Sequence, residues 1–461
     1  MAIMKDMIDW LTTPPLSDGS DNQQAGPNQF VPAHLAQAPA ISILVCNFDG
    51  PAGHEVGQRM QKDMASESGI LIQHFAKRLK SGGKGTLVER LVAAAETGRK
   101  WLAGSSADVL IWGEVSPDDG FITLRLLCAQ ADGDSQPGSV GLGDTLRLPG
   151  NYDVAMAGLV HAAVLAAVGP RKSNPQRQEL MDLLSEPADN LSALIETPPS
   201  TLDPSCFSSV MTAIGNILAS MWRLNEDPAR LDMAVKAYQA SLKQSYDKDN
   251  PVNWALTQNH LASTLLAKSK QDRDPVPLRA AVEAYRGAAA ALGSHLHVND
   301  WALAQSHMGD ALVKLANFEN GAQCLKEASE AYQQALKVFT RQTMPGPWSE
   351  LMNQLGIALM NLGEIVTSNR ILEQSASCFR QSLDVRRREI TPHLWAQTAN
   401  NLGAVTFAIY KENENSSALH EAAACFKGAS EVYGQLGRRD KALVAQRNME
   451  RIEEIQKGEA G

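Results

Sequence analysis

The sequence predicts an α+β multidomain protein, in which a small amino-terminal α/β domain precedes an all-α helical solenoid. Three observations predict it. An aromatic residue recurs every 47 residues in the second half of the chain, strand-like and helix-like segments alternate before it, and a polar, Pro-rich stretch comes first. We expect a disordered tail over 1–39, the α/β domain over 40–150, a helical connector with the character of a degenerate repeat over 151–202, five repeats over 203–440, and a capping helix and tail over 441–461.

The repeats are defined by five registers counted from the recurring aromatic residue, which is position 0. Position +7 is apolar, +8 is Gly or Ala, +24 is Leu, +27 is Ala or Ser, and +31 is aromatic in every copy. Because these positions fall on two helical faces, each repeat is predicted to contain two helices, A and B. The small residue at +8 lets helix B approach, and the aromatic at +31 fills the space beside it. Position 0 is occupied by Phe207, Trp254, Trp301, Trp348 and Trp395.

The repeat resembles a known family in these same residues. Leu or Met at +7, Gly or Ala at +8, Ala at +27 and an aromatic at +31 are similar to the tetratricopeptide repeat. The segment "QSLDVRRREITPHLWAQTANNLG" is similar to its long-period bacterial and kinesin-light-chain forms. The resemblance covers residues 203–457 and implies a solenoid whose A helices line a protein-binding groove. The charged helix at 441–455 suits the end of such a stack.

The first half of the chain predicts a sheet with helices. The run "ISILVCNF" reads as a strand, followed by a helix to about Ala65, a strand around Gly69–Gln73 and a helix over Thr86–Leu102. The strands "ADVLIWGEV" and "FITLRLLCA" follow, joined by the turn "SPDDG". The segment "GRKWLAGSSADVLIWGEVSPDDGFITLRLL" resembles the TolB-type amino-terminal domain over roughly residues 40–150. That resemblance implies binding and assembly, and it supplies no catalytic residue.

Candidate chemical motifs in the chain are incomplete. "SGGKG" lacks the spacing of a phosphate loop and favours a flexible loop, whereas "DGPAGHE" opens a helix and is a candidate anion site. Asp49 and His54 are either an acid–base pair or turn and cap residues. His295, His297 and Asp300 lack a further strong ligand for a metal. We therefore predict no enzyme activity, no cofactor and no metal.

Composition and charge exclude further function classes. The net charge is −9 and no basic stripe with interleaved aromatics is present, which argues against nucleic-acid binding. The apolar run Val154–Val168 is too short to span a bilayer, so no membrane insertion is expected. The basic run 386–388 is interpreted as favouring the negative end of a helix dipole. The six cysteines lack C-x-x-C spacing, and Cys378 and Cys425 read as small core residues, which favours a reducing, cytoplasmic compartment. The resemblance to the long-period bacterial repeat implies a protein of bacterial type.

Two polar columns run along the A helices at positions +5 and +6. Asparagine is a poor helix former, so its repeated use here favours a binding role, because an amide offers both a donor and an acceptor to a peptide backbone. The kinesin-light-chain resemblance implies this role for the asparagines. The alternative is a ladder of amides that satisfies neighbouring helices or water. The predicted peptide-binding residues are Asn259, His260, Ser306, His307, Asn353, Gln354, Asn400 and Asn401.

These observations predict a non-enzymatic adaptor or scaffold whose groove binds an extended segment of a partner protein. The alternative is a sensor in which the α/β domain binds a small anion or nucleotide and the solenoid transmits the effect of that binding. A further expectation concerns "MIDWLTTPP" in the amino-terminal tail, an apolar segment with a tryptophan. It either packs on its own domain or frays, or it docks in the groove of its own chain or a neighbour and competes with partners.

Overall fold

The computed structural model describes residues 41–64, 70–80, 87–129, 136–168, 174–197, 202–244, 251–296 and 298–459. The chain divides into two compact units, which within the described residues are an amino-terminal unit to Leu292 and a carboxy-terminal unit from Gly293. The division falls within the repeat array. The tail, the "SGGKG" loop and His297 lie outside the described residues, as does the side chain of His295.

The amino-terminal unit contains one five-stranded sheet. Its strands are β1 (Ile41–Cys46), β2 (Ile70–Phe75), β3 (Val109–Val115), β4 (Ile122–Cys128) and β5 (Leu146–Leu148). The order is β2-β1-β3-β4-β5, with β1 parallel to β2 and β3, and with β3–β4 and β4–β5 antiparallel. The four strands predicted from the sequence are confirmed, and β5 is an addition that the sequence did not signal.

Four helices accompany the sheet before the repeats begin. They are α1 (Gly53–Met64), α2 (Leu87–Ser105), α3 (Val154–Val168) and α4 (Asn174–Glu196). The apolar helix α3 is buried along most of its length and contacts α1, β4 and the first repeat helix, which explains its uniform hydrophobicity. Among the described residues, no helix is long and apolar enough to cross a membrane.

The predicted two helices per repeat are confirmed in all five copies. The A and B helices are, in order, α5 (Pro204–Asn225) and α6 (Pro228–Leu242), α7 (Val252–Asp272) and α8 (Pro275–Leu296), α9 (Val298–Leu315) and α10 (Gly321–Leu336), α11 (Pro345–Ile365) and α12 (Asn369–Leu383), and α13 (Pro392–Asn413) and α14 (Ser416–Gln435). The final helix, α15 (Arg439–Glu459), packs on α14. Helix α8 contains one non-helical residue, Gly293, at the division between the units.

The packing inside each repeat follows the predicted pairing of a small residue with an aromatic ring. A Cβ atom on Gly215 would lie 2.4 Å from Tyr238, and one on Gly356 would lie 2.7 Å from Phe379. The rings at +31 are fully buried, so they cannot move away. A small residue at +8, glycine in four repeats and Ala262 in the second, is therefore required for the close approach of helices A and B.

The basic run after α12 makes specific contacts that the sequence did not predict. Arg386 is almost fully buried between two A helices, where its guanidinium donates to the hydroxyls of Ser349 and Thr398 and pairs with Glu350. Arg388 lies over the ring of Trp395 and pairs with Glu431. The run begins after the last residue of α12, and its side chains join the A helix of their own repeat to the next repeat.

Candidate peptide-binding face

The side of each A helix that faces away from helix B is formed by positions +2, +6, +9 and +13, with +5 at its edge. We call this side the A face. Position +8 points at helix B. At 100° per residue, +2, +6, +9 and +13 are rotated from it by about 100–160°, whereas +5 is rotated by about 60° and lies at the border with the next repeat. The A face carries both of the polar columns recognised in the sequence.

The +5 column joins successive repeats. In the amino-terminal unit, the hydroxyl of Thr212 at +5 lies 2.9 Å from that of Thr257, which is at +3 of the next repeat. In the carboxy-terminal unit, the hydroxyl of Thr398 at +3 donates to Oδ1 of Asn353 at +5 of the repeat before it, at 3.0 Å. The same pairing therefore occurs in both units, and one member of the predicted binding set also has a structural contact.

The +6 column has varied contacts. Asn401 Nδ2 donates to Asn353 Oδ1 at 3.2 Å, and Gln354 Nε2 donates to Glu350 one turn earlier at 3.0 Å. His260 Nε2 lies 2.8 Å from Asp144, a residue outside the repeats. Ser306 and His307 are half-buried, as is Asn259. The structure thus brings Asn353 and Asn401 together directly, whereas Asn259 and His260 lie in the other unit.

Several amide atoms of this face are buried and have no hydrogen-bond partner among the described residues. They comprise two donors and three acceptors in the carboxy-terminal unit: Asn353 Nδ2, Asn400 Nδ2, Asn400 Oδ1, Asn401 Oδ1 and Asn361 Oδ1. The side chains of Asn353, Asn400 and Asn401 are fully buried, and Asn361 at +13 is 7% exposed. A buried amide without a partner costs free energy of the order of 1–3 kcal/mol. In native proteins such groups are normally paired with a protein group, an ordered water or a ligand.

The hydrogen bonds differ among Asn353, Asn400 and Asn401, which the sequence places in one predicted binding set. Asn353 accepts two hydrogen bonds from the neighbouring repeat, so its removal would leave Thr398 and Asn401 with fewer partners. Asn400 makes no such bond with either amide atom. A small contribution of the side chain to folding is therefore expected for Asn400 and not for Asn353.

An interaction that sequence reasoning missed lies on the A face of the first two repeats. The segment Gln136–Thr145, between β4 and β5, runs along this face. The hydroxyl of Ser220 at +13 donates to the carbonyl of Gly138, at 3.1 Å. A Cβ atom on Gly143 would lie 2.8 Å from Leu256 at +2. The stretch "PGSVGLGD" has no periodicity, and its glycines are the sole signal that could have suggested close contact with another backbone.

The α/β domain has its own cleft at the carboxyl ends of β1 and β2. The amino terminus of α1 opens into this cleft, which is also lined by Lys77, Arg78, Trp101 and Glu55. In the same region, His54 Nδ1 and His74 Nε2 both donate to Asn47 Oδ1, at 3.0 and 2.7 Å. Burial and the nearby His54 lower the pKa of His74. Carboxyl ends of parallel strands are common ligand sites in open α/β sheets.

The two residues considered as an acid–base pair are separately engaged. Asp49 pairs with Arg78 at 3.4 Å, whereas His54 contacts Asn47. All six cysteines are free thiols, and burial raises the pKa of Cys378 to about 11 and that of Cys425 to about 12. A thiol with a raised pKa is a poor nucleophile at neutral pH.

Comparisons with known proteins concern the fold alone. No protein-family model and no curated protein matches the chain. Among solved structures, it is similar to BtubC (BKLC) from P. vanneervenii, with a TM-score of 0.39 and 17% identity, over 55% of this chain and 89% of that one. It is also similar to a circular tandem repeat protein with novel repeat topology, with a TM-score of 0.28 and 13% identity, over 67% of this chain and 87% of that one. The chain's own elements form a small sheet-containing region followed by helices packed in consecutive pairs.

Proposed function

We propose that this chain is a non-enzymatic adaptor whose A face binds an extended segment of a partner protein in the carboxy-terminal unit. The observation that carries the proposal is the group of buried, unpartnered amide atoms on repeats 4 and 5. Both donors and acceptors are present, which matches the alternating N–H and C=O groups of a peptide backbone. An anion would use the donors alone, and a cation would use the acceptors alone.

The burial of these amides adds a condition to the proposal. Because Asn353, Asn400 and Asn401 are closed to solvent, a partner reaches them when the A face opens locally. Part of the binding free energy then goes into that opening. The predicted residues at the less buried positions Ser306, His307 and Gln354 would make the first contacts with the incoming segment.

The remaining parts of the proposal follow from the sequence. The TolB-type resemblance of the α/β domain favours binding or assembly through that domain as well. A bacterial, cytoplasmic adaptor fits the cysteine usage and the negative charge. Docking of the amino-terminal segment on the A face, in the same chain or a neighbour, would regulate partner access.

The experiment starts with capture of partners from native lysate by the full chain, followed by an array of overlapping peptides of each captured protein. We expect binding to map to a single contiguous segment of roughly 6–10 residues, since a backbone-binding face needs an extended stretch. We also expect single alanine replacements along that segment to leave most of the binding intact. Binding that requires the folded partner and no linear segment would contradict the proposal.

A second candidate function is favoured by the cleft in the α/β domain, which has the position and the cations for a small anion or nucleotide. We expect a bound nucleotide to raise the melting temperature. A ligand that binds only the native state, at a free concentration of about 100 times its Kd, raises the free energy of unfolding by about 2.7 kcal/mol. The variants Lys77→Ala and Arg78→Ala should lose the shift, and Lys80→Ala, an exposed neighbour, should keep it. A nucleotide panel without any shift, or a shift equal in all three variants, would remove this candidate.

A further inference from the structure

The segment Gln136–Thr145 contacts the first two repeats in the manner of a bound peptide. Its backbone lies against the A face, because Cβ atoms on Gly138 would be 2.5 Å from the carbonyl of Asn216 and the amide of Ser220. Gly138 also has a φ of +70°, which favours glycine at that point. Immediately after the segment, Ser209 at +2 accepts from the amide of Arg147 at 3.0 Å and donates to its carbonyl at 3.3 Å. The segment therefore follows the polar ridge of α5 from +13 to +2.

One carboxylate anchors this segment to the second repeat. Asp144 Oδ1 lies 2.8 Å from His260 Nε2, and both side chains are about nine-tenths buried, at 11% and 9% exposure. The other carboxylate oxygen accepts from the amide of Gly141 at 2.7 Å. Arg125, from β4, donates to the carbonyls of Leu142 and Gly143. His260 is the +6 residue of its repeat, so a position predicted to bind peptides holds a segment of the chain itself.

The underside of the segment is incompletely packed. A cavity lined mainly by apolar groups, among them Val140, Leu124 and Ile217, remains beneath it. Residues 141–145 are partly exposed to solvent. Incomplete packing forfeits dispersion contacts, which lowers the free energy needed to lift the segment without unfolding the helices.

We propose that Gln136–Thr145 is a built-in, displaceable ligand of the A face of repeats 1 and 2, and that it keeps outside peptides off this face until it is displaced. The outside segment that fits the same face is a short, glycine-containing peptide that forms a turn and carries one carboxylate, which replaces Asp144 at His260. This inference rests on the proposed function, in that A faces bind peptides, and it assigns a second, self-occupied binding surface in the amino-terminal unit.

The test uses the full chain and a fluorescent peptide of residues 136–147 as the probe. The Asp144→Ala chain loses the contact that holds its own segment but keeps His260. We therefore expect it to bind the probe at least about tenfold more tightly than the wild-type chain does. A probe that carries the same Asp144→Ala change should bind this chain about tenfold more weakly. Asp118→Ala, an exposed acidic residue in the β3–β4 turn, serves as the matched control and should behave as wild type. Equal binding by the Asp144→Ala and wild-type chains, or no binding by either up to about 1 mM, would overturn the proposal.

Hydrogen exchange of the wild-type chain supplies a second readout that needs no variant. We expect the amides of the segment to exchange about 100-fold or more faster than those in the middle of α5, through local opening. If the segment exchanges only when α5 does, it does not open locally, and that result would contradict the inference. Both measurements concern repeats 1 and 2, so their failure leaves partner binding by Asn400 to be judged separately.

Discussion

Replacing Arg386 by Ala is expected to lower the free energy of unfolding of the carboxy-terminal unit by roughly 2–4 kcal/mol. The side chain is 2% exposed and fills the space between the A helices α11 and α13. Its loss leaves a cavity and removes a donor from the hydroxyls of Ser349 and Thr398. Its ionic partner, Glu350, is half-exposed and can be hydrated, so the full cost of an orphaned buried charge does not apply.

Urea denaturation of the full chain measures this effect against two companion variants. Arg387→Ala, an exposed neighbour, should stay within about 0.5 kcal/mol of wild type. Arg386→Lys should fall between the two, since an ammonium cannot reach three partners with the planar fork of a guanidinium. Equal stability of Arg386→Ala and Arg387→Ala would show that the buried arginine does not hold the two repeats together.

Replacing Gly356 by Leu should also be strongly destabilising, by roughly 1–3 kcal/mol or more. The new Cβ atom would meet the Phe379 ring at 2.7 Å, and that ring is fully buried. Gly403→Leu should cost less, since its Cβ atom would lie 3.1 Å from Phe426. Thermal or chemical unfolding of the two variants gives the comparison.

The matched control is Gly434→Ala in α14, where a Cβ atom meets nothing within 4 Å. That change should stabilise the chain by about 0.5–1 kcal/mol, because alanine loses less backbone entropy in a helix. If Gly356→Leu is as stable as wild type, the close approach of helices A and B through position +8 is not a requirement of the fold.

The repeat architecture was predictable because the residues that pack helices A and B recur at fixed spacings in the sequence. A small residue at +8, glycine or alanine, and an aromatic at +31 have to coincide for helices A and B to pack, and the two occur together in all five copies. The strands β1 to β4 were predictable for a related reason, since buried strands need continuous apolar runs. Both signals are local and periodic.

The contacts of the A face were only partly predictable. Asn400 and Asn401 read as polar, surface-facing residues, yet both are fully buried. The burial depends on neighbouring elements, which a helical pattern does not describe. Asp144 gave no signal at all, because its partner His260 is 116 residues away and joins it through the tertiary fold.

The measurement that tests the central claim most directly is the effect of Asn400→Ala on partner affinity and on stability in the same preparation. Both amide atoms of Asn400 are buried and unpartnered, so the free energy of unfolding should stay equal or rise by a few tenths of a kcal/mol. The Kd for the captured partner should rise by roughly 5- to 100-fold, as expected for two lost hydrogen bonds. Asn317→Ala, an exposed asparagine after α9, should change neither quantity. Loss of about 1 kcal/mol or more of stability with an unchanged Kd would contradict the account, and would assign the amides to the ladder that satisfies helices or buried water.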